Sequence, residues 1–347
     1  MDVRLSPEQV ALRDSAVHVV DRLGPATVGQ LGDAERAGKL DAAVAAAGWR
    51  ELRTVADDGG PWASGVEVAV IAEELGRGLA DTAFVGPTLA ADLRRRAGAP
   101  PAGAVETVAF GLDLTQPAQA AVGAAVPDAV AVDARGATTT LVLIPGDDGT
   151  VIGTVALEEE TAGADLTRSV ARLSTRAPVE IVGGQSRPLD DDDMARWQSL
   201  ALAVACADLV GAMRGTLALA TDYARVRRQY GAAIGSFQAV QHLLADAFVA
   251  MEGSRSMALH AAWAVDALPA NDALAAASAA KAYCARAARS VCQSSIQVHG
   301  GIGNTWDCLA HVFLRRALFS TELLGGIGDN LQRVLAARGV GGDDGLR

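Results

Sequence analysis

Three long alanine-rich segments in the C-terminal part of the sequence constrain the fold more than any other feature. They span about 190–231, 236–269 and 271–301, each roughly 25 residues or longer, and Ala has the highest helix propensity of all residues. Acidic side chains at 190–193 favour a helix start there, and Asn271 is expected to cap the third helix. Long helices with a face of small side chains pack side by side, so we predict a helical bundle over 189–347.

The first 105 residues are also predicted to be helical. Ser6, Pro7 and Gln9 mark a helix start, because Ser caps, Pro suits the first turn and Gln completes a capping box. Further helical patterns cover about 33–47 and 65–75, and Gly76 is expected to end the second of these. We therefore assign 1–105 to an N-terminal helical domain.

The segment 106–188 differs from both helical parts. Short apolar runs at 107–110, 129–132, 140–144 and 151–155 are rich in Val, Thr and Ile and are separated by Gly, Pro and Asp. Such runs are typical of strands, and without helical patterns between them they favour a small sandwich or barrel over βαβ units. The expected fold class is therefore mainly α with a small middle β-domain.

Composition excludes several classes of protein. The net charge of −11 disfavours a nucleic-acid binder, which needs a basic surface. None of the four cysteines shows a CxxC spacing and the histidines have no metal-like spacing, so we predict no metal site. Apolar runs are interrupted well before the ~18 residues of a membrane span, and the first residues lack a secretory apolar region. We expect a cytoplasmic protein with reduced cysteines and no membrane partner.

Two motifs are candidates for ligand binding. Arginines at 225, 227 and 228 end the first long helix and precede Tyr230, with amides following at Gln238 and Gln241. The arginines could complement the helix dipole, or they could hold a phosphate, since the guanidinium fork fits that group. The glycines at 300, 301 and 303 follow a helix rather than a strand, so they either stop the helix or let backbone approach a ligand.

These residues resemble the acyl-CoA dehydrogenase family. The stretches 223–231 and 234–242 are similar to its "R-x-x-F-G … F-Q-x-x-x-H" signature, and 297–303 is similar to "Q-x-x-G-G-x-G". Similar pieces at 305–307 and 314–317, and others in the first domain, extend the resemblance along the whole chain in order. It implies a helical domain, a middle β-domain and a C-terminal four-helix bundle.

The resemblance also implies FAD, held between subunits. In the family these motifs reach the pyrophosphate and adenosine of the FAD that the neighbouring subunit mainly holds. By motif match the cofactor-binding residues are Arg227, Arg228, Gln229, Tyr230, Phe237, Gln238, Gln297, Gly300 and Gly301.

The sequence departs from the family in the parts that act on the flavin ring and substrate. The family's "T-E-P-x-A-G-S" loop has only a faint counterpart at 114–117. Its catalytic Glu falls at Leu324, or at Ala201 in members that carry it on the first bundle helix, and neither side chain accepts a proton. Glu322 lies two residues away and is a base only in a shifted register. We therefore assign no catalytic residue.

The resemblance is to the shorter, base-lacking subunit of actinobacterial α2β2 acyl-CoA dehydrogenases of sterol side-chain breakdown. It implies α,β-dehydrogenation of an acyl-CoA, with a longer homologue supplying the base and the flavin loop and an electron-transfer flavoprotein as a possible acceptor. Two alternatives stay open. The chain could be a self-sufficient homo-oligomeric enzyme using Glu322, or a flavin-free structural subunit.

Overall fold

The structure, a computed structural model, describes residues 4–340. Within that part more residues lie in helices than in strands. Helices come both before and after the main group of strands, as the sequence predicts. The α-helices are α1 (Pro7–Leu23), α2 (Ala34–Ala46), α3 (Gly65–Arg77), α4 (Val85–Arg96), α5 (Asp191–Val226), α6 (Gln238–Ala267), α7 (Ala270–His299), α8 (Ala310–Glu322) and α9 (Ile327–Ala337). The strands are β1 (Glu106–Gly111), β2 (Ala129–Val132), β3 (Thr139–Gly146), β4 (Gly149–Ala162), β5 (Ser169–Leu173), β6 (Glu180–Ile181), β7 (Arg228–Gln229) and β8 (Ala232–Ala233).

Local signals position the first helices. Ser6 and Gln9 form the predicted capping box, in which each residue's backbone N–H donates to the other's side chain at 3.2 and 3.0 Å. The predicted end of α3 at Gly76 is wrong by one residue, because the helix continues to Arg77. Gly76 serves packing instead, since a Cβ there would lie 2.6 Å from the carbonyl oxygen of Asp208 on α5.

Helix α4 was not predicted from the sequence, and its cap explains why. The side-chain oxygen of Asp133, just after β2, accepts the backbone N–H groups of Phe84 and Val85 at 2.7 Å each. The cap therefore comes from another part of the chain, whereas sequence signals for helix starts are local.

The middle segment forms a small closed sheet. Strands β1 to β5 pair in a ring, in the order β3-β1-β2-β5-β4 with β4 returning to β3, and β6 adds to β4. Strand β1 is parallel to β3, and the other pairs of the ring are antiparallel. The four predicted strands lie where expected, whereas the short β5 and β6 were missed. A closed ring leaves few unpaired strand edges.

The C-terminal segment contains the three long predicted helices, α5, α6 and α7. Its third helix begins at Ala270 with Pro269 as its N-cap, so the predicted cap at Asn271 is wrong. Helix α5 is long and apolar enough to cross a membrane by length and composition. However, 89% of its most apolar window is buried inside the protein, as in the core helix of a bundle. The order of helices, strands and helices confirms the predicted fold class.

A buried ion-pair network joins the middle segment to the C-terminal segment. Asp208 on α5 accepts from Arg168 beside β5 at 2.8 Å, from Arg316 on α8 at 2.7 Å and from Ser320 at 2.7 Å. Burial would raise the pKa of the Asp208 carboxyl, but the two guanidinium groups outweigh burial and hold this pKa below its usual value. The carboxylate therefore stays charged between two buried cations and fixes α8 against the small sheet.

Candidate functional site

The arginine-rich motif forms an exposed hairpin at the end of α5. Arg227 caps the helix, and β7 and β8 pair through Gln229 and Ala232. The two residues of the turn, Tyr230 and Gly231, have φ of 51° and 81°, and a positive φ at both positions is the requirement of a type I′ hairpin turn. Tyr230 is 97% exposed, so the hairpin directs an aromatic ring outward.

Aromatic and amide groups of the second motif lie against this hairpin. The ring of Phe237 meets that of Tyr230 edge-on, with 6.3 Å between centroids. Gln238 is the first residue of α6, and its amide lies 3.4 Å from the ring of His242. These side chains are all exposed, which leaves their faces free for a planar ligand group.

Of the three arginines in this motif, Arg227 is the one whose exposed guanidinium is free to bind a ligand. Arg225 pairs with Asp222 at 3.2 Å, and Arg228 reaches the carbonyl oxygen of Gly231 at 3.4 Å. The side chain of Arg227 has no hydrogen-bond or ion-pair partner within residues 4–340. An unpaired guanidinium on a protein of net charge −11 suits an anionic ligand such as a phosphate.

The glycine-rich motif ends α7 at the same end of the bundle. Gly300 has φ of 65° and ψ of −144°, which only glycine adopts readily. A Cβ at Gly300 or at Gly301 would meet nothing within 4 Å, so open space lies beside this backbone. The nearby side chain of Gln297 is exposed. The backbone can therefore be approached closely by a ligand.

One aromatic contact brings the two motifs together. Tyr223 on the last turns of α5 stacks on His299 at the end of α7, with 4.5 Å between ring centroids. Ala224 and Val298 belong to one small apolar cluster that also contacts Ile234 after the hairpin. The predicted cofactor-binding residues thus share one end of the bundle, although their role as FAD contacts stays a prediction.

The two positions expected for a catalytic base lie in the core. Ala201 and Leu324 are both 0% exposed. Leu324 has φ of 66°, and its backbone N–H donates to the carbonyl oxygen of Leu114 at 2.8 Å. Glu322 ends α8 and is exposed.

The counterpart of the family's flavin loop contacts the position of the family's base in this chain. Leu114 belongs to the counterpart of the family's flavin loop, and its hydrogen bond to Leu324 joins that loop to the base position. The exposed residues have side chains that suit phosphate and adenosine groups, whereas the loop counterpart meets an apolar residue at the base position.

Sequence reasoning missed Lys281 on α7. Its ammonium is 0% exposed and donates to the carbonyl oxygens of Thr321, Leu323 and Gly325 at 3.0, 2.5 and 3.1 Å. Burial lowers the pKa of Lys281 to about 8. This side chain holds the backbone around Leu324 in place. The sequence did contain a signal for this residue. Almost all basic residues of the chain are Arg, yet a lysine stands within an alanine-rich helix.

Among residues 4–340, no group of three or more His, Cys, Asp or Glu side chains is placed to hold a metal ion.

Comparisons with known proteins show the family of this chain. The family model described as acyl-CoA dehydrogenase, C-terminal domain, matches residues 198–340. Acyl-CoA dehydrogenase IpdE2 of Mycobacterium tuberculosis is 32% identical over 269 residues, which cover 77% of this chain and 76% of IpdE2. Acyl-CoA dehydrogenase FadE34 of the same organism is 36% identical over 211 residues, or 59% of this chain, and the match spans only 29% of FadE34.

A solved structure extends the likeness to the whole fold. A chain of the ChsE4–ChsE5 complex from Mycobacterium tuberculosis superposes with a TM-score of 0.77 at 23% identity, covering 98% of this chain and 99% of that chain. Because IpdE2 matches over most of both chains, the protein belongs to the acyl-CoA dehydrogenase family of FAD-dependent oxidoreductases.

Proposed function

We propose that this chain is the base-lacking subunit of a hetero-oligomeric acyl-CoA dehydrogenase and that it completes the FAD site of a longer homologous partner. The observation that carries the proposal is a contrast within one chain. Arg227 is an exposed cation without a partner in residues 4–340 and has exposed aromatic neighbours, whereas the base position holds the buried Leu324, which contacts Leu114 of the loop counterpart.

The exposed surface divides into three roles. Arg227 and Arg228 bind the pyrophosphate through charge-assisted hydrogen bonds. The rings of Tyr230 and Phe237 pack on the adenosine, and the side-chain amides of Gln229, Gln238 and Gln297 donate to its polar atoms. Gly300 and Gly301 let the backbone approach the nucleotide without a clash.

The bound cofactor supplies one kind of chemistry. In the dehydrogenation of an acyl-CoA thioester, bound FAD would supply the acceptor for the β-hydride, and a base would be needed to remove the α-proton. This chain has an apolar residue at both usual positions of that base, so the base belongs to the partner. This chain binds and orients the nucleotide end of the cofactor.

Several features support a partner of the same family. The similar ChsE4–ChsE5 structure is a complex of two chains. The sequence resemblance favours an acyl group of the steroid side-chain type, electron transfer to an electron-transfer flavoprotein and a cytoplasmic location. These assignments belong to the proposal.

The experiment is co-purification of the chain from its native organism, with mass spectrometry of the accompanying proteins and measurement of bound flavin. We expect a longer acyl-CoA dehydrogenase homologue that carries the flavin loop and a Glu base. We also expect stoichiometric FAD in the complex and little flavin on this chain expressed alone. Stoichiometric flavin and dehydrogenase activity in the isolated chain would instead support a self-sufficient enzyme. Full FAD occupancy of a complex that carries both Arg227→Ala and Gln297→Ala would support a flavin-free structural subunit.

A further inference from the structure

A cleft that the proposed function does not use lies beside the glycine-rich end of α7. It has a volume of about 370 Å³ and lies between the last turns of α5, the segment 26–28 and the residues before α8. Apolar side chains form most of its wall, including Val28, Leu219, Val226, Ile302 and Leu309. Two groups of different chemistry also line it, the thiol of Cys308 and the imidazole of His299.

The imidazole is held in one orientation. The Nδ1 atom of His299 lies 2.8 Å from the carbonyl oxygen of Ser295, and the ring stacks on Tyr223 at 4.5 Å. A carbonyl oxygen only accepts hydrogen bonds, so Nδ1 carries the proton. Nε2 is then the nitrogen left for the side chain of Cys308, which lines the same cleft. Burial would lower the pKa of the His299 imidazole, but the neighbouring Cys308 side chain and the Ser295 carbonyl oxygen outweigh burial and raise it.

The thiol lies where a thiolate is stabilised. The backbone N–H of Ala310, in the first turn of α8, points at the Sγ atom of Cys308 at 3.5 Å. Burial would raise the pKa of the Cys308 thiol, but the hydrogen bonds from His299 and from the Ala310 backbone outweigh burial and hold this pKa below its usual value. Cys308 and His299 therefore form a nucleophile and a proton carrier in one cleft.

The other three cysteines provide a contrast within the chain. Cys206, Cys284 and Cys292 are free and 0% exposed. Burial raises the pKa of Cys292 to about 12, and the hydrogen bond with Cys206 together with burial raises that of Cys284. Cys308 is itself only 8% exposed but lines the cleft, whereas these three thiols have no exposed surface, so Cys308 is expected to react first.

Charge at the cleft selects among ligands. Asp222 and Asp307 place carboxylates at its lining, and Arg225 neutralises the first of these at 3.2 Å. Within residues 4–340 no ion pair neutralises Asp307. One carboxylate beside apolar walls disfavours an anionic ligand and favours an uncharged one.

We propose that Cys308 and His299 form a covalent binding site for uncharged α,β-unsaturated carbonyl compounds with an apolar substituent. The thiol proton passes to Nε2 of His299, and the sulfur adds to the β-carbon of the ligand. The C–S bond forms as the C=C π bond breaks, and its electron pair goes to the α-carbon. That carbon then takes the proton from His299. The addition is balanced without an oxidant, a reductant or a leaving group.

The test uses the purified full chain and two maleimides with the same reacting ring. N-ethylmaleimide is neutral and 3-maleimidopropionate is anionic, and mass spectrometry of peptides gives the rate at each cysteine. We expect Cys308 to react first at pH 7. We also expect Cys308 to prefer the neutral reagent. The ratio of its rate with N-ethylmaleimide to its rate with 3-maleimidopropionate should be several-fold larger than the same ratio for a small neutral thiol. His299→Gln should slow the reaction by about threefold for each unit by which the thiol pKa rises, because the thiolate fraction falls about tenfold while the thiolate becomes about threefold more nucleophilic.

Two controls keep the outcome clear. Cys308→Ser must remove the fast reaction, and a circular-dichroism melting curve must show that His299→Gln is folded. If that variant does not fold, the pH profile of the natural chain decides, since its midpoint should lie below the value of about 8.5 for a free thiol. The proposal is overturned if Cys308 reacts no faster than Cys292. It is also overturned if the ratio of the rates with the two maleimides is the same at Cys308 as for a small neutral thiol. A rate in folded His299→Gln equal to that of the natural chain would overturn it as well.

Discussion

The backbone N–H of Leu324 donates to the carbonyl oxygen of Leu114 at 2.8 Å, so the position of the family's base touches the counterpart of its flavin loop. Both residues have a left-handed backbone, with φ of 66° and 60°. Such a conformation is costly for a Leu and persists only where surrounding contacts enforce it. Here Lys281 supplies that constraint, since its ammonium binds the carbonyl oxygens on either side of Leu324.

Glu322→Gln should leave the turnover of the assembled enzyme within a few-fold of the natural protein. Glu322 is exposed at the end of α8, whereas a general base contributes roughly 10²–10⁴-fold to the rate. The measurement is steady-state acyl-CoA oxidation by the complex. A loss as large as that expected for a general base would identify Glu322 as the base. The motif match that places the family's Glu at Leu324 would then be wrong by two residues.

Arg227→Ala should weaken FAD retention by the complex roughly tenfold to a hundredfold. A charge-assisted hydrogen bond to a phosphate contributes about 1.5–3 kcal/mol, and each 1.4 kcal/mol is about tenfold in affinity. The side chain has no partner within residues 4–340, so the melting temperature should hardly change. FAD titration of the apo-complex measures the effect, with Arg172→Ala on the exposed face of β5 as the matched control. Equal dissociation constants for the two variants would remove Arg227 from the site.

Raising the pH should stabilise the natural chain relative to Lys281→Met. The pKa of Lys281 is about 8 in the folded protein, whereas an unfolded lysine titrates near 10.4. Between these values the unfolded state binds more protons, so the free energy of unfolding rises with pH. From pH 7.5 to 9.5 the difference between the natural chain and the variant should grow by about 2 kcal/mol in favour of the natural chain.

Denaturant unfolding at both pH values measures this difference, and Lys39→Met is its control. Lys39 is exposed, and its hydrogen bond with Glu35 raises its pKa, so its contribution is fully present below the unfolded value near 10.4 and should stay nearly constant over this pH range. If the difference in free energy of unfolding between the natural chain and Lys281→Met stayed constant across this pH range, the buried amine of Lys281 would not lose its proton there, which would contradict this prediction.

Asp208→Asn should destabilise the protein by about 3–5 kcal/mol, because it leaves Arg168 and Arg316 buried without their shared carboxylate. Glu35→Gln breaks the exposed pair with Lys39 and should cost only about 0.3–0.5 kcal/mol. The pKa of Asp208 is lowered in the fold, so its stabilising contribution is present above the unfolded value and is lost as the pH falls. Chemical denaturation at neutral and acidic pH checks both statements. Similar losses for the two variants at neutral pH would show that the network stabilises little.

The sequence by itself determined the order of helices and strands, the presence of the FAD-type motifs and the absence of a base at Leu324 and Ala201. These features depend on local periodicity, on capping residues such as Ser6 and Gln9, and on side-chain chemistry that is read one position at a time. The assignment of individual FAD contacts, from Arg227 to Gly301, stays a prediction.

Only the tertiary structure decided how distant parts of the chain complete one another. Asp133 caps α4 from the small sheet, and Asp208 joins α5 to α8 and to Arg168. The Leu114–Leu324 hydrogen bond joins residues 210 positions apart, which no local pattern can encode. Such contacts depend on which backbone groups lie next to one another after folding. The contact between the loop counterpart and the base position was therefore visible only in three dimensions.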